Sequence, residues 1–483
     1  MQKSLVKNVL YKVLLNMFNL VLPILVGPYV NRMLGADSIG KVQFVESIYA
    51  YFFIFACFGV YQYGLREMSR IRDNKDKVNQ LFTSLFIISL VTSITTLFIF
   101  LSISFLGYGD NVIFPILLIF SFNFIINIFY VEWVNEAMEN YDFITFKTII
   151  VRSIYVILIF IFVNSAEDYS EYAILLIVAT FLNNIISFFY IKRTVKFNFK
   201  NLRIVRHLRP LFIVVIFSNA NVLYTLLDRF MLGEYYSAKY VSYYVIPQQI
   251  VGIIGALLLS IVQVTIPRLS YLLHANDDES YVALLNKTSK IYFAFLFPAS
   301  IGMYVLSDFA IYIYGGNDFI DAIPVLNVFS FYMILLGIDS ILANQIIYVK
   351  KRENILVRLM FLCGFINLIF NIILLQLDIL TPTNAILTTT LAHLILILTE
   401  YAYIRIGLKV NFKLFELSKM KYLIYAILFI PLSVIVREFI SNPILVVILI
   451  ISSCSILYGF ILFLTKDEVL VMTIDKIKRK LGK

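Results

Sequence analysis

The sequence predicts an all-α, polytopic membrane protein with about fourteen transmembrane helices, and three observations support this prediction. The 483 residues are 61% hydrophobic and 14% charged, whereas soluble domains carry about 25% charged residues. Most apolar runs are about 20 residues or longer, enough for a helix to cross a hydrocarbon core of about 30 Å. Lysine and arginine lie between these runs, so the formal charge of +10 indicates membrane topology rather than nucleic-acid binding.

The expected spans place both termini on one side of the membrane, since their number is even. They cover residues 8–31, 42–65, 80–105, 112–136, 144–163, 171–191, 210–231, 241–265, 290–313, 323–348, 355–376, 384–404, 421–438 and 444–464. With the N-terminus in the cytoplasm, only Arg32, Lys41, Arg229, Lys239 and Arg437 fall outside, among 40 lysines and arginines. The positive-inside rule therefore predicts a multi-pass membrane protein with cytoplasmic termini.

A charged, glycine-containing segment, Asn31–Lys41, predicts a turn between the first two spans. Its Met33-Leu34-Gly35 and Lys41 recur as Met231-Leu232-Gly233 and Lys239, and the same offset carries Arg70 onto Arg268. The recurrence favours an internal duplication in parallel orientation. The predicted organisation is an N-terminal six-helix lobe (1–191), a basic interfacial linker (192–209), a C-terminal six-helix lobe (210–410), and two extra helices with a basic amphipathic tail (411–483).

Ionisable residues inside the predicted spans are functional candidates, because each costs at least a few kcal/mol in a bilayer. Glu132 and Glu136 share one face of the fourth span, and Arg152 lies at similar depth in the fifth. A structural Glu–Arg pair and a substrate role both remain open. His393 and Glu400 lie two turns apart in span twelve. This pair could carry protons, although a buried, hydrogen-bonded histidine is the structural alternative.

The side chains that we expect to line a substrate cavity are Lys12, Arg152, Glu132, Asp339 and Gln249, and the ion-coupling candidates are His393 and Glu400. No catalytic residue, metal site or cofactor is predicted. The sequence has three histidines and lacks both a Gly-rich phosphate loop with its lysine and a His-Glu-x-x-His motif. We therefore expect a protein that moves a substrate rather than one that transforms it.

Several segments resemble the polysaccharide flippases, of the O-antigen and capsule type, in the multidrug/oligosaccharidyl-lipid/polysaccharide exporter superfamily. They are Arg32-Met-Leu-Gly-Ala-Asp-Ser-Ile-Gly40, Tyr63-Gly-Leu-Arg-Glu-Met-Ser-Arg-Ile-Arg72, Glu132-Trp133 with Glu139-Asn-Tyr141, Asp228-Arg-Phe-Met-Leu-Gly233 with Tyr243-Tyr244, Ile266-Pro-Arg-Leu-Ser270, and Asn367-Leu-Ile-Phe-Asn371. The resemblance extends over nearly the whole chain.

The resemblance implies a two-lobed transporter that flips undecaprenyl-diphosphate-linked oligosaccharide from the inner to the outer leaflet by alternating access. Its expected partners are the lipid-linked oligosaccharide and the bilayer, with a polysaccharide polymerase and export machinery downstream. A drug/cation antiporter and a lipid II flippase of the same superfamily are the alternatives. The lipid II branch carries an Arg-Asp pair in the first span, where this chain has Leu22-Pro23. A membrane enzyme is a further alternative, which the short predicted outer loops disfavour.

Overall fold

The computed structural model describes residues 5–200 and 202–472, with the side chains of residues 5, 6 and 217–224 left out. Helices are the only regular secondary structure in these ranges, as predicted. The end of the predicted amphipathic tail, residues 473–483, lies outside them. The chain divides into two compact units, Met1–Tyr243 and Tyr244–Lys483. The two six-helix lobes remain a prediction.

The first unit contains nine helices and the start of a tenth in its described residues. They are α1 Leu5–Cys57, α2 Val60–Ile71, α3 Lys75–Tyr108, α4 Phe114–Asn127, α5 Glu132–Ala137, α6 Tyr141–Phe162, α7 Tyr169–Lys192, α8 Val205–Thr225, α9 Leu227–Tyr235 and α10 Ala238–His274, which continues into the second unit. Large apolar side chains such as Leu25, Phe98 and Phe105 are about two-thirds exposed. Such a surface is suited to lipid rather than to water.

The predicted turn over Asn31–Lys41 is instead a kink confined to Gly35 of α1. Gly35 has φ 71° and ψ 174°, a conformation that glycine adopts without a Cβ penalty, and the helix continues on both sides. The polar residues of this segment have partners that are compatible with a helix. Lys41 Nζ lies 2.7 Å from Asp37 Oδ2 one turn before it, and Ser38 Oγ donates to the carbonyl of Ala166 at 2.6 Å. No loop is therefore needed.

The two copies of the repeated sequence lie against each other within the first unit. A Cβ added to Gly40 would overlap the backbone carbonyl of Ala238, and one added to Gly233 would overlap the ring of Phe44. These glycines therefore permit a close approach between α1 and the segment from α9 to the start of α10. The copies differ locally, because Gly35 breaks a helix whereas Gly233 lies within α9.

The second unit contains eight complete α-helices and two π-helical segments among its described residues. The elements after α10 are α11 Asp278–Val305, α12 Ser307–Tyr314, a 3-10 segment Asn317–Ala322, α13 Ile323–Ser340, a π segment Ile341–Tyr348, α14 Glu353–Gln376, α15 Pro382–Ala402, a π segment Tyr403–Gly407, α16 Leu417–Ile427, α17 Phe429–Phe439 and α18 Pro443–Leu464. Single π turns are rare and occur frequently at functional sites.

Eleven helical stretches in the described residues are long and apolar enough to cross a membrane, or twelve if α11 and α12, bent by 76°, form one span. The first stretch, Lys7–Ile71, runs through the two predicted spans on either side of Gly35. Predicted span seven lies over α8 and α9, which include residues whose side chains are not described. The structure thus confirms a polytopic helical protein, and the count of fourteen stays a prediction.

A compact aromatic core fixes the short helix α5 in the first unit. Trp133 is 2% exposed and stacks on Phe82 of α3, with ring centroids 6.4 Å apart. On the α2 side, a Cβ added to Gly64 would come within 2.7 Å of the indole ring, so only glycine leaves room for it. Because Trp133 is anchored in this way, the neighbouring Glu132 is held at a defined position inside the unit.

Candidate functional sites: charged side chains within the helices

A buried ion pair connects α5, α6 and α7 in the first unit. Lys147 Nζ donates to both carboxylate oxygens of Glu132, at 3.1 and 2.9 Å, and to Ser187 Oγ at 2.7 Å. Ser187 Oγ in turn donates to Glu132 Oε2 at 2.6 Å. Lys147 is 5% exposed, Glu132 9% and Ser187 1%. The three side chains form a closed hydrogen-bonded triangle, as a buried charge requires.

The predicted pairing of Glu132 with Arg152 is therefore wrong, because Lys147 is the partner. The two cations lie five residues apart on α6, about 7.5 Å along its axis, and Lys147 is level with α5. Glu136, which was expected to act beside Glu132, instead accepts a hydrogen bond from Tyr61 at 2.8 Å. Lys147 lies inside the predicted span 144–163, and neither Lys147 nor Ser187 is among the predicted site residues.

Arg152 is half-buried in α6 and forms no salt bridge within the described part of the chain. Lys12 of α1 is exposed and lies over the ring of Tyr141, the first residue of α6, at 5.7 Å from its centroid. Arg152 follows eleven residues later, about 16 Å along the same helix. Lys12 of α1 thus lies beside the first residue of α6, and Arg152 lies near the middle of α6.

Asp339, His393 and Glu400 come together in the second unit, where α15 packs on α13. His393 Nε2 lies 3.9 Å from Asp339 Oδ2, and its ring meets Tyr332 edge-on at 5.3 Å. His393 is 2% exposed and Glu400 is fully buried. Asp339 is a predicted cavity residue and the other two are predicted ion-coupling residues; the structure places all three in one cluster, in which the Asp339 side chain is 16% exposed.

This cluster lacks hydrogen-bond partners. Both ring nitrogens of His393, both carboxyl oxygens of Glu400 and Oδ1 of Asp339 have no protein partner among the described residues. Both the proton-carrying role of His393 and the structural alternative stay predictions. Burying bare carboxylates costs several kcal/mol, so the site requires a proton or a cation.

Two π-helical segments begin beside this cluster. The first, Ile341–Tyr348, starts two residues after Asp339, and the second, Tyr403–Gly407, starts three residues after Glu400. The two segments also contact each other. A helix with widened turns can shift its register more readily than a regular α-helix, and such turns frequently occur at functional sites. The cluster therefore lies where both of its helices are locally irregular.

Gln249, the last predicted cavity residue, lies on the exposed side of α10. It accepts one long hydrogen bond, at 3.4 Å, from the hydroxyl of Tyr314. Its amide group is therefore weakly engaged by the protein and remains open to further hydrogen bonds. No group of three or more His, Cys, Asp or Glu residues able to hold a metal ion occurs in the described ranges.

Comparison with known proteins assigns the family. Residues 5–273 match the family model described as "Polysaccharide biosynthesis protein". The chain belongs to this family. The "Putative O-antigen transporter" of Escherichia coli (strain K12) is 24% identical over 374 residues, which cover 76% of this chain and 89% of that protein. The protein with the same description from Shigella dysenteriae is 22% identical over 372 residues, covering 75% and 91%.

Solved structures show the same fold at low identity. "Lipid II flippase MurJ, inward closed conformation" has a TM-score of 0.67 and 19% identity, and covers 94% of this chain and 100% of that one. The inward-facing "multidrug resistance MATE family transporter of the MOP superfamily" has a TM-score of 0.60 and 16% identity, covering 82% and 94%. The chain is thus a multi-pass membrane protein of the polysaccharide biosynthesis family with the fold of these solved transporters, and its relatives are described as transporters rather than enzymes.

Proposed function

We propose that the chain flips oligosaccharide repeat units linked to undecaprenyl diphosphate from the inner to the outer leaflet, for cell-surface polysaccharide assembly, by alternating access. The observation that carries this proposal is Arg152, a half-buried arginine within a membrane helix that has no salt bridge in the described part of the chain. A cation in that position is costly unless an anion reaches it. A diphosphate is such an anion, and the guanidinium group can bind it with two parallel hydrogen bonds.

Lys12 supports the same proposal. It is exposed and lies beside Tyr141 at the start of α6, the end of this helix that the charge pattern predicts to be cytoplasmic. Tyr141 and Arg152 are about 16 Å apart along the helix axis. A diphosphate attracted first to Lys12 would then move toward Arg152 as its sugars leave the inner leaflet. Glu132, by contrast, is already neutralised by Lys147. We therefore withdraw it from the cargo contacts and keep Lys12, Arg152 and Gln249.

Net transport requires a driving force, and we propose that protons supply it through Asp339, His393 and Glu400. His393 and Glu400 are buried, and both ring nitrogens of His393, both carboxyl oxygens of Glu400 and Oδ1 of Asp339 lack protein hydrogen-bond partners in the described residues. Gain or loss of a proton there changes the charge of the cluster, and the adjacent π segments offer helices that can respond. The same cluster favours a second candidate function, a proton-coupled drug antiporter, because such a transporter also needs a membrane-buried acidic site.

Arg152 variants in cells depleted of the wild-type protein test the proposal. Arg152→Gln should reduce surface polysaccharide at least tenfold and cause complete lipid-linked units to accumulate, whereas Arg152→Lys should retain part of the activity. Arg358→Gln is the matched control, since it removes one exposed arginine from α14. Normal surface polysaccharide in the Arg152→Gln cells, at equal protein levels, would refute the role of Arg152.

A drug-efflux measurement on the same cells separates the second candidate. If depletion leaves the lipid-linked units at normal levels and raises sensitivity to cationic drugs, the antiporter is the correct function. If depletion causes the lipid-linked units to accumulate and leaves drug sensitivity unchanged, the flippase proposal holds and the antiporter is excluded.

A further inference from the structure

A cationic cavity of about 470 Å³ lies in the first unit, away from Arg152 and from the Glu132–Lys147 pair. Lys77 of α3, Arg203 just before α8 and Arg206 in the first turn of α8 contribute three positive charges to its lining. Glu67 is the acidic residue of the lining, and it is already bound by Arg66 Nε at 3.1 Å and by an Arg70 nitrogen at 3.2 Å. The cavity therefore has a net positive charge.

The three lining cations have no salt bridge within the described ranges, and all three are exposed to solvent. Uncharged groups complete the lining, among them Gln80 and the buried His207, whose Nδ1 lies 2.7 Å from the hydroxyl of Tyr63. Burial lowers the pKa of His207, and Arg206 adds to this effect. Convergent cations together with hydrogen-bonding groups match the chemistry of a phosphate ligand.

The segment that carries Arg203 and Arg206 is held on α3 just before these residues. The backbone N–H of Lys196 donates to Asn79 Oδ1 at 2.9 Å, and that of Asn198 donates to Thr83 Oγ1 at 2.8 Å. The ring of Phe197 packs on Phe82 and Phe86, with centroids 5.4 and 5.1 Å away. This part of the basic linker is thus a fixed wall of the first unit.

Exposed apolar side chains flank the cations on the same segment. Phe199 is 67% exposed and Val205 is 78% exposed, on either side of Arg203. Exposed apolar residues interleaved with arginine are typical of a surface that lies in the interfacial region of a membrane, with the cations at the level of the lipid headgroups. The charge pattern predicts that the side of the protein with Phe199, Arg203 and Val205 faces the cytoplasm, and the cytoplasmic leaflet of the membrane is anionic.

We propose that this cavity binds the phosphate headgroup of an anionic lipid of the cytoplasmic leaflet, at a site separate from the path of the transported cargo. Lys77, Arg203 and Arg206 contact the phosphate oxygens, and Phe199 and Val205 contact the adjoining acyl chains. The bound lipid joins α2, α3 and the start of α8, and α2 already packs against both of the other helices. The stability of the transporter consequently depends on the lipid composition of that leaflet.

Binding to the full-length protein in detergent tests this site. Phosphatidylglycerol should raise the thermal unfolding temperature more than phosphatidylcholine does, and the paired substitution Arg203→Gln/Arg206→Gln should weaken phosphatidylglycerol binding at least tenfold. Lys196→Gln/Lys200→Gln is the matched control. It removes two exposed cations from the same linker but outside the cavity lining, and should change binding less than twofold.

Other results of these binding measurements would overturn the proposed lipid site. Equal stabilisation by both lipids, or unchanged phosphatidylglycerol binding in the Arg203→Gln/Arg206→Gln variant, overturns the proposal. Inorganic pyrophosphate that protects as well as the lipid at equal concentration would identify a site for a soluble phosphate compound instead. If the double variant does not fold, Lys77→Gln provides the same test with one charge removed. Normal cargo flipping by a folded, lipid-insensitive variant is expected, so failure here leaves the proposed function intact.

Discussion

Separating the Glu132–Lys147 pair should destabilise the first unit far more than removing both charges. In Lys147→Met, the Glu132 carboxylate would stay buried with Ser187 as its remaining donor in the triangle, at 2.6 Å. An uncompensated buried charge costs about 3–5 kcal/mol, whereas replacing a whole buried pair by groups of similar volume is often close to neutral. We therefore expect Lys147→Met to lower the free energy of unfolding by about 3–5 kcal/mol, and Glu132→Gln/Lys147→Met by about 0–2 kcal/mol.

A double-mutant cycle on purified protein in detergent, read as the free energy of unfolding, measures the coupling between the two residues. Lys290→Met is the matched control, since it breaks an exposed pair with Glu468 at 3.0 Å and should cost less than about 1 kcal/mol. Additive effects of the two single substitutions would refute the argument. Transport by the folded double variant should be normal, and its loss would show that the pair contacts cargo.

Three further predictions concern other parts of the chain. Gly40→Ala should lower the free energy of unfolding by about 1–3 kcal/mol, because the added methyl meets backbone of α10, whereas Gly107→Ala, with open space around it, should be neutral or slightly stabilising in the same unfolding measurement. Burial lowers the pKa of His207, so its stabilising contribution is present above about pH 6.5 and lost as the pH falls further. His207→Gln, which can still pair with Tyr63, should therefore flatten the stability profile between pH 7 and 5, and an unchanged slope would contradict this. His393→Ala should abolish or shift the pH dependence of transport, and an identical pH profile would exclude the proposed proton path.

The overall fold could be predicted because it depends on patterns that are local in sequence. Long apolar runs mark membrane helices, and the basic residues between them indicate orientation. The seven-residue spacing of His393 and Glu400 placed both on one helix face, and they do lie in one cluster. The helical periodicity alone was sufficient to predict that these two side chains lie on the same face of α15.

The partners of the intramembrane charges could not be predicted, because they depend on how helices rotate and break in three dimensions. Glu132 pairs with Lys147 rather than with Arg152 five residues further along α6, and no pattern in the sequence indicates which of the two cations meets the carboxylate. Asp339 reaches His393 across 54 residues of sequence, through the packing of α13 on α15. The predicted break between the first two spans does occur at Gly35, but it is narrower than the predicted turn, since polar residues such as Lys41 and Asp37 pair within the helix that follows.

The location of the lipid-linked oligosaccharide in the membrane tests the central claim most directly. In cells depleted of this protein, the leaflet that holds the complete units can be probed with an impermeant reagent that modifies sugars. The proposed flippase predicts that the units accumulate and stay inaccessible to the reagent, and that restoring the wild-type protein, but not Arg152→Gln, makes them accessible. Units that reach the outer leaflet at normal levels without the protein would contradict the account.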